Sequence, residues 1–239
     1  MSAEKIITKE NLDFYLKELA KEFRKRNKTK VHAEIILVGG ASVLANYGFR
    51  EMTTDIDAII SANSVMKEAV NVIGDRYNLP YGWLHADFLK TSSYSSRLIE
   101  HSEYYKTFAN VLEIRTVKAE YLVAMKLVSG RRYKKDLSDI IGIFYEQEKK
   151  KEPLDYEKIN CAVLELYGSW DRVDDYTKSV LEQVLKSDNL VQLFEAQMAA
   201  EIESKDTILE IEQKYPDVIN SDNVNDIIEQ AKRKKSEVK

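Results

Sequence analysis

Two aspartates separated by one residue are the part of this 239-residue sequence best suited to chemistry. Asp55 and Asp57 flank Ile56 in the segment 54–60, whose acidic and apolar residues alternate as they do in a β-strand. Because side chains alternate across a strand, we expect both carboxylates on one face, where a divalent cation would relieve their repulsion. Oxygen ligands favour Mg²⁺, or Mn²⁺, over Zn²⁺. The pair therefore predicts a magnesium site.

A glycine turn precedes the aspartates. The apolar run 33–38 predicts a buried strand, and the segment 41–47 predicts a short helix. Between them, Gly39, Gly40 and Ser42 would offer backbone N–H groups and a hydroxyl to an anion such as phosphate. A plain strand-to-helix turn is the alternative explanation for the glycines. A phosphate-binding turn beside a metal site is the more specific interpretation.

The surrounding elements predict an α+β fold in which a small mixed sheet positions these residues. An apolar stripe at helical spacing predicts an N-terminal helix over 12–23. The polar segment 91–110 is expected to connect two strands. The further predicted elements are a helix over 64–77, strands over 83–89 and 111–117, and helices over 119–128 and 136–150.

The composition changes at the charge run 148–153, which ends in proline and predicts a domain boundary. We expect a core domain over residues 1–150 and an all-α C-terminal module over 151–239. Four helices are predicted in this module, over 156–167, 172–185, 190–214 and 223–234.

The overall composition is that of a soluble globular protein, with 44% hydrophobic and 32% charged residues. A net charge of −4 excludes a globally basic nucleic-acid binder, although a local basic patch such as 131–135 remains compatible with RNA. Cys161, the single cysteine, is expected to be a buried thiol in a reducing compartment. The sequence has no membrane-length apolar run and no signal-peptide core, so a cytoplasmic protein is expected.

Two segments, VGGAS at 38–42 and TTDID at 53–57, resemble the signature of the DNA polymerase β-like nucleotidyltransferase superfamily. The closest resemblance is to bacterial AbiEii-type and related minimal nucleotidyltransferases, several of which are toxins of toxin–antitoxin or phage-defence systems. The likeness covers residues 30–147 and includes a helix with Lys126, followed by Arg131 and the segment 135–140, whose sequence is KDLSDI.

The resemblance implies a role for each of these residues. Asp55 and Asp57 would hold Mg²⁺ on the triphosphate of ATP or another NTP, whose β- and γ-phosphates would lie on the glycine turn. Lys126 and Arg131 would lie beside the phosphates, with Asp136 and Asp139 ordering them. The alternatives are a lysine at a helix boundary for Lys126 and a helix N-terminal cap for Asp136. The nucleotide-binding set is then Gly39, Gly40, Ser42, Lys126, Arg131 and Asp136.

Superfamily members usually add a third carboxylate from a neighbouring strand. Glu113 is expected on the strand next to the aspartates, and Asp87 competes with it; a third alternative is that neither serves. The catalytic set is therefore Asp55, Asp57, Glu113 and Lys126. The isolated histidines lack metal-ligand spacing and are expected to be structural: His32, His85 and His101.

The leading hypothesis is Mg²⁺-dependent transfer of an NMP from an NTP to an acceptor hydroxyl, on RNA such as tRNA or on a protein. A small-molecule acceptor is also open, and toxin-type relatives imply a cognate antitoxin as partner. The alternative is a non-catalytic nucleotide-binding or protein-interaction module with a degenerate site. The third carboxylate discriminates between the two hypotheses.

Overall fold

The structure, a computed structural model, describes residues 6–27, 32–61, 64–220 and 223–237. Within these ranges the strands are β1 (Ile7–Thr8), β2 (Ala33–Leu37), β3 (Met52–Thr53), β4 (Ile56–Ser61), β5 (Leu84–His85), β6 (Ser102–Phe108) and β7 (Leu112–Val117). The helices are α1 (Lys9–Arg26), α2 (Gly39–Asn46), α3 (Ser64–Tyr77), α4 (Ala119–Ser129), α5 (Asp136–Lys149), α6 (Tyr156–Tyr167), α7 (Asp175–Lys186), α8 (Leu190–Lys214) and α9 (Val224–Glu237). The α+β prediction, with helices following the sheet, is confirmed.

The main sheet of the described chain has five strands in the order β5-β4-β2-β7-β6. The central strand β2 runs antiparallel to β4 and parallel to β7, while β4 and β5 run parallel to each other. Strand β6 closes the sheet antiparallel to β7. The sheet is therefore mixed, and β2 separates β4 from β7.

The apolar stripe of α1 packs into the core on one face of this sheet. Leu12, Leu16 and Leu19 are completely buried and join Ile35 and Leu37 of β2 in one hydrophobic cluster. Complete burial of each such side chain stabilises the fold by roughly 1.5–3 kcal/mol. The stripe therefore fixes α1 against the strand that leads into the glycine turn.

Two compact units divide the chain. One contains Met1–Met125 and Tyr156–Trp170, and the other contains Lys126–Asp155 and Asp171–Lys239. The first unit holds the sheet, and the second holds α5, α7, α8 and α9. The sequence boundary between residues 150 and 151 stays a prediction. No helix in the described parts of the chain has both the length and the apolar character to cross a membrane.

Three local predictions were wrong. The expected strand over 83–89 is only β5, because the chain turns into a short 3₁₀ segment at Asp87–Lys90. Conversely, the segment 91–110 contains β6, an edge strand whose solvent-facing polar residues mask the strand pattern. Cys161 is exposed, because the buried face of α6 is formed by its neighbours Ile159, Ala162, Val163 and Leu166.

Candidate active site

The glycine turn at the end of β2 lies directly against the carboxylate of Asp57. Gly39 has a φ of +54°, a left-handed conformation that favours glycine. A Cβ atom built on it would lie 3.5 Å from Oδ2 of Asp57. Helix α2 begins at this residue, and the side chain of its N-cap residue, Val38, makes no capping hydrogen bond. The first-turn N–H groups therefore lie near the acidic site, and the N–H groups of a helix start can bind an anion.

Gly40 is in close contact with a cation that the sequence reasoning missed. A Cβ atom here would lie 2.6 Å from Nη2 of Arg50 and 3.0 Å from Oγ1 of Thr53. The Arg50 guanidinium also donates from Nε to the carbonyl of Met52 at 3.2 Å. Arg50 is one of 36 basic residues, and nothing in its local pattern distinguishes it. It places a positive charge on the turn predicted to bind phosphates.

The two aspartates lie at the start of β4. The strand begins at Ile56, so Asp57 belongs to it whereas Asp55 directly precedes it, unlike the predicted strand over 54–60. Parallel pairing with β5 places His85 beside Asp57. Nε2 of His85 is 3.2 Å from Oδ2 of Asp55, and its Nδ1 is 3.6 Å from Oδ1 of Asp57. His85 therefore joins the two aspartates, a contact that its isolated position in the sequence did not indicate.

Glu113 lies away from this cluster. Its strand β7 is separated from β4 by β2, contrary to the expectation that β7 neighbours the aspartates. The register aligns Glu113 with Glu34 and, through it, with Ser61. Ser61 is four residues along β4 from Asp57, which corresponds to about 13 Å. Arg115 instead donates from Nη1 to Oε1 of Glu113 at 2.9 Å. The structure does not bring Glu113 to the aspartates.

Asp87, the competing third carboxylate, does join the cluster. Its Oδ2 lies 3.7 Å from Nδ1 of His85, and its side chain is exposed. The Lys90 ammonium donates to Oδ1 at 2.7 Å, and this hydrogen bond holds the pKa of Asp87 below its usual range. Asp87 is therefore a carboxylate of the cluster that already contacts one cation through Oδ1.

Asp55 and Asp57 fit a magnesium ion that obtains its remaining ligands from elsewhere. Among the described residues, no three His, Cys, Asp or Glu side chains form a complete metal-binding group. The side chains of Asp55 and Asp57 are 48% and 34% exposed, so water and phosphate can reach both. Mg²⁺ characteristically keeps several waters and binds through one or two carboxylates together with substrate phosphates.

Ser42 is buried behind the turn. Its Oγ accepts the backbone N–H of Val117 at 3.2 Å, which joins α2 to the end of β7. The same residue continues the helix by donating its backbone N–H to Val38. Ser42 therefore anchors the turn, and a direct contact between its hydroxyl and phosphate stays a prediction.

Lys126, Arg131 and Asp136 form a buried network within the second unit. The Lys126 ammonium is 2.7 Å from Oδ1 of Asp136 and 2.8 Å from Oδ2 of Asp139. Nε of Arg131 lies 2.7 Å from Oδ2 of Asp136. Burial raises the pKa of Asp136, but the attraction of Lys126 and Arg131 outweighs it and holds this pKa well below the ordinary value. The nucleotide-binding role of these three residues stays a prediction.

The basic run 131–135 is partly neutralised by carboxylates of the same unit. Nη1 of Arg132 lies 3.4 Å from Oε2 of Glu229, and Nη2 lies 3.9 Å from Oδ1 of Asp174. Its guanidinium also stacks over the ring of Tyr176, with 4.2 Å to the ring centroid. These contacts leave Arg132 poorly placed to meet an RNA backbone.

A family model described as "Nucleotidyltransferase of unknown function (DUF6036)" matches residues 14–160, more than half of the chain. The matched segment contains the glycine turn, both aspartates, His85 and the Lys126 network. No curated protein and no solved structure matches the chain.

Proposed function

Because the chain belongs to the DUF6036 family of nucleotidyltransferases of unknown function, we propose that it transfers an NMP from an NTP to an acceptor hydroxyl. The observation that carries this proposal is the contact between the glycine turn and Asp57, where Gly39 leaves only 3.5 Å between a Cβ position and the carboxylate. A phosphate-binding helix start and a cation-binding carboxylate thus meet at one point, as NTP-dependent phosphoryl transfer requires.

In the proposed mechanism the triphosphate lies on the first turn of α2. The N–H groups there and the Arg50 guanidinium hold phosphate oxygens, because both present positive charge to the same position. Asp55 and Asp57 would hold Mg²⁺, which when bound neutralises the charge that develops on the phosphates.

The acceptor oxygen attacks the α-phosphorus while the bond from this phosphorus to the bridging oxygen breaks, so that pyrophosphate leaves. The acceptor's proton must go to a base. Asp87 suits this role better than Glu113, because Asp87 lies within the carboxylate cluster, whereas Glu113 contacts Arg115 on a strand that β2 separates from β4. We therefore propose Asp87 as the third carboxylate.

We propose that the acceptor hydroxyl belongs to an RNA, such as tRNA, or to a protein. The paired state of Arg132 argues against the basic run as the main RNA-binding surface. A toxin role with a cognate antitoxin is a further proposal that follows from the resemblance to toxin-type nucleotidyltransferases.

The proposal is tested by incubating the protein with Mg²⁺, each α-labelled NTP, and total RNA or a protein extract. We expect Asp57→Asn to reduce label transfer by about 100-fold or more, the usual effect of removing one group that stabilises transition-state charge. Asp75→Asn, which alters an exposed aspartate on α3, is the matched control and should retain activity. Absence of transfer by the wild type, or equal transfer by Asp57→Asn, would refute the proposal.

A further inference from the structure

The imidazole of His85 contacts the aspartate that the backbone constrains least. Asp57 lies within β4 and against Gly39, so strand and turn both restrict its carboxylate. Asp55 precedes the strand, and its side chain is 48% exposed. An exposed side chain outside regular structure keeps its rotamer freedom unless other groups restrain it. A metal ligand at this position therefore needs partners that orient it.

The position of His85 is fixed by buried neighbours. Ile56 and Leu84 are register partners in the β4–β5 pair and are both buried. The backbone N–H of Ile56 donates to the carbonyl of Trp83 at 2.8 Å. Trp83 is itself buried, and its indole N–H donates to the carbonyl of Val70 at 3.0 Å. The histidine is thus held beside the aspartates by a rigid part of the sheet.

Hydrogen bonding assigns the nitrogen of the His85 ring that donates to Asp55. The backbone N–H of Asp87 lies 3.3 Å from Nδ1 of His85, so Nδ1 is the acceptor. With Nδ1 as the acceptor, the ring proton lies on Nε2, which donates to Oδ2 of Asp55 at 3.2 Å. The other oxygen, Oδ1, accepts from the hydroxyl of Thr54 at 3.2 Å. Both oxygens of Asp55 are therefore held by side-chain donors.

We propose that His85 is a positioning residue that holds Asp55 in its cation-binding orientation by donating from Nε2. The inference rests on the proposed function, because it assumes that Asp55 and Asp57 bind the catalytic cation. Hydrogen-bond partners of this kind orient metal ligands, and their loss typically costs about 10–100-fold in metal affinity. The lone pairs of the Asp55 oxygens that do not accept these bonds stay available to the cation.

Mn²⁺ binding to the full chain, followed by the EPR signal of the free ion, tests the proposal without requiring an acceptor. We expect His85→Ala to weaken Mn²⁺ binding about 10–100-fold. His85→Gln should bind close to the wild-type affinity, because a glutamine amide can donate to Asp55 from nearly the same position. Thr54→Val should weaken binding as well, and His32→Ala, at an exposed histidine, should have no effect. Thermal melts establish that each variant is folded.

The outcomes separate the two proposals. If the wild type binds no Mn²⁺, with or without a non-hydrolysable NTP, the metal site and the proposed function both fail. If the wild type binds and His85→Ala binds equally well, only the positioning role is overturned. If His85→Gln is as weak as His85→Ala, donation from Nε2 is not the cause and the inference is again overturned.

Discussion

Replacing Lys126 by methionine tests the physical account of the second unit most directly. The Lys126 ammonium is 4% exposed and neutralises Asp136 and Asp139, whose side chains are 1% and 2% exposed. Methionine has a similar length but no charge, so the substitution removes an ammonium group that contacts two buried carboxylates. Breaking a buried pair by removing one partner costs about 3–5 kcal/mol. Arg131 still contacts Asp136 and should compensate part of this cost.

Urea unfolding at neutral pH measures the effect. Lys186→Met is the matched control, because Lys186 forms a solvent-exposed pair with Glu182 and such pairs contribute at most about 1 kcal/mol. Lys126→Met combined with Asp139→Asn should recover part of the loss, since a neutral amide avoids the buried charge. Lys126 is not a stabilising buried cation if Lys126→Met lowers the unfolding free energy no more than Lys186→Met does. The same conclusion follows if the double variant is less stable than Lys126→Met alone.

The pH dependence of the unfolding free energy of Lys126→Met tests the direction in which the pKa of Asp136 is shifted. The folded-state pKa of Asp136 lies below its ordinary value of 3.8, because Lys126 and Arg131 outweigh the effect of burial. A depressed pKa contributes stability above the unfolded value that is lost as the pH falls towards the folded value. The stability difference between wild type and Lys126→Met should therefore narrow in acid.

Two further predictions concern single side chains. Burial raises the pKa of Glu201 to about 7 from 4.5, despite hydrogen bonds from Ser138 and Leu137. Between pH 4.5 and 7 the folded state holds the proton more tightly than the unfolded chain. The wild-type unfolding free energy should then fall by about 3 kcal/mol relative to Glu201→Gln as the pH rises through this window. This prediction would be contradicted if the unfolding free energies of the wild type and Glu201→Gln changed in parallel with pH. Glu210→Gln, at an exposed site on α8, is the control. Gly40→Ala should displace Arg50 and weaken NTP binding about tenfold or more in calorimetric titrations, with unchanged thermal stability. Gly48→Ala, where a Cβ has open space, should bind normally, and equal NTP affinity of Gly40→Ala and wild type would exclude Arg50 as a phosphate ligand.

Periodicity predicted much of the fold because local sequence determines it. The stripe in α1 and the pattern over 64–77 predicted helices close to those observed. Apolar residues at this spacing lie on one face, and can be buried together, only when the segment is helical. The buried strand β2 and the glycines that follow it were also predicted, because the local sequence determines both. Strand β6 was missed because an edge strand with polar side chains towards solvent has no apolar alternation.

Sheet order and register depend on pairing between distant segments, and no local pattern encodes either. Glu113 has the residue type and strand context expected of a third carboxylate, yet β2 lies between its strand and β4. His85 looked isolated because its partners are thirty and twenty-eight positions away in the sequence. It becomes part of the site only because β5 pairs with β4 in the register that places it beside Asp57. The motif was therefore predictable, and its neighbours were not.

Neutralising one charge should change the thermal stability in opposite directions in the cluster around His85 and in the cluster around Lys126. Around His85, the carboxylates of Asp55, Asp57 and Asp87 all contact one imidazole, so three like charges lie close together and repel one another. Asp57→Asn removes one of these charges, and we expect its thermal stability to equal or exceed that of the wild type while label transfer is lost. Lys126→Met instead removes the cation that balances buried carboxylates, so stability falls. Residues of a binding or catalytic site characteristically lower the stability of the protein, and their replacement lowers its activity. If Asp57→Asn destabilised the protein as strongly as Lys126→Met, Asp57 would belong to the scaffold.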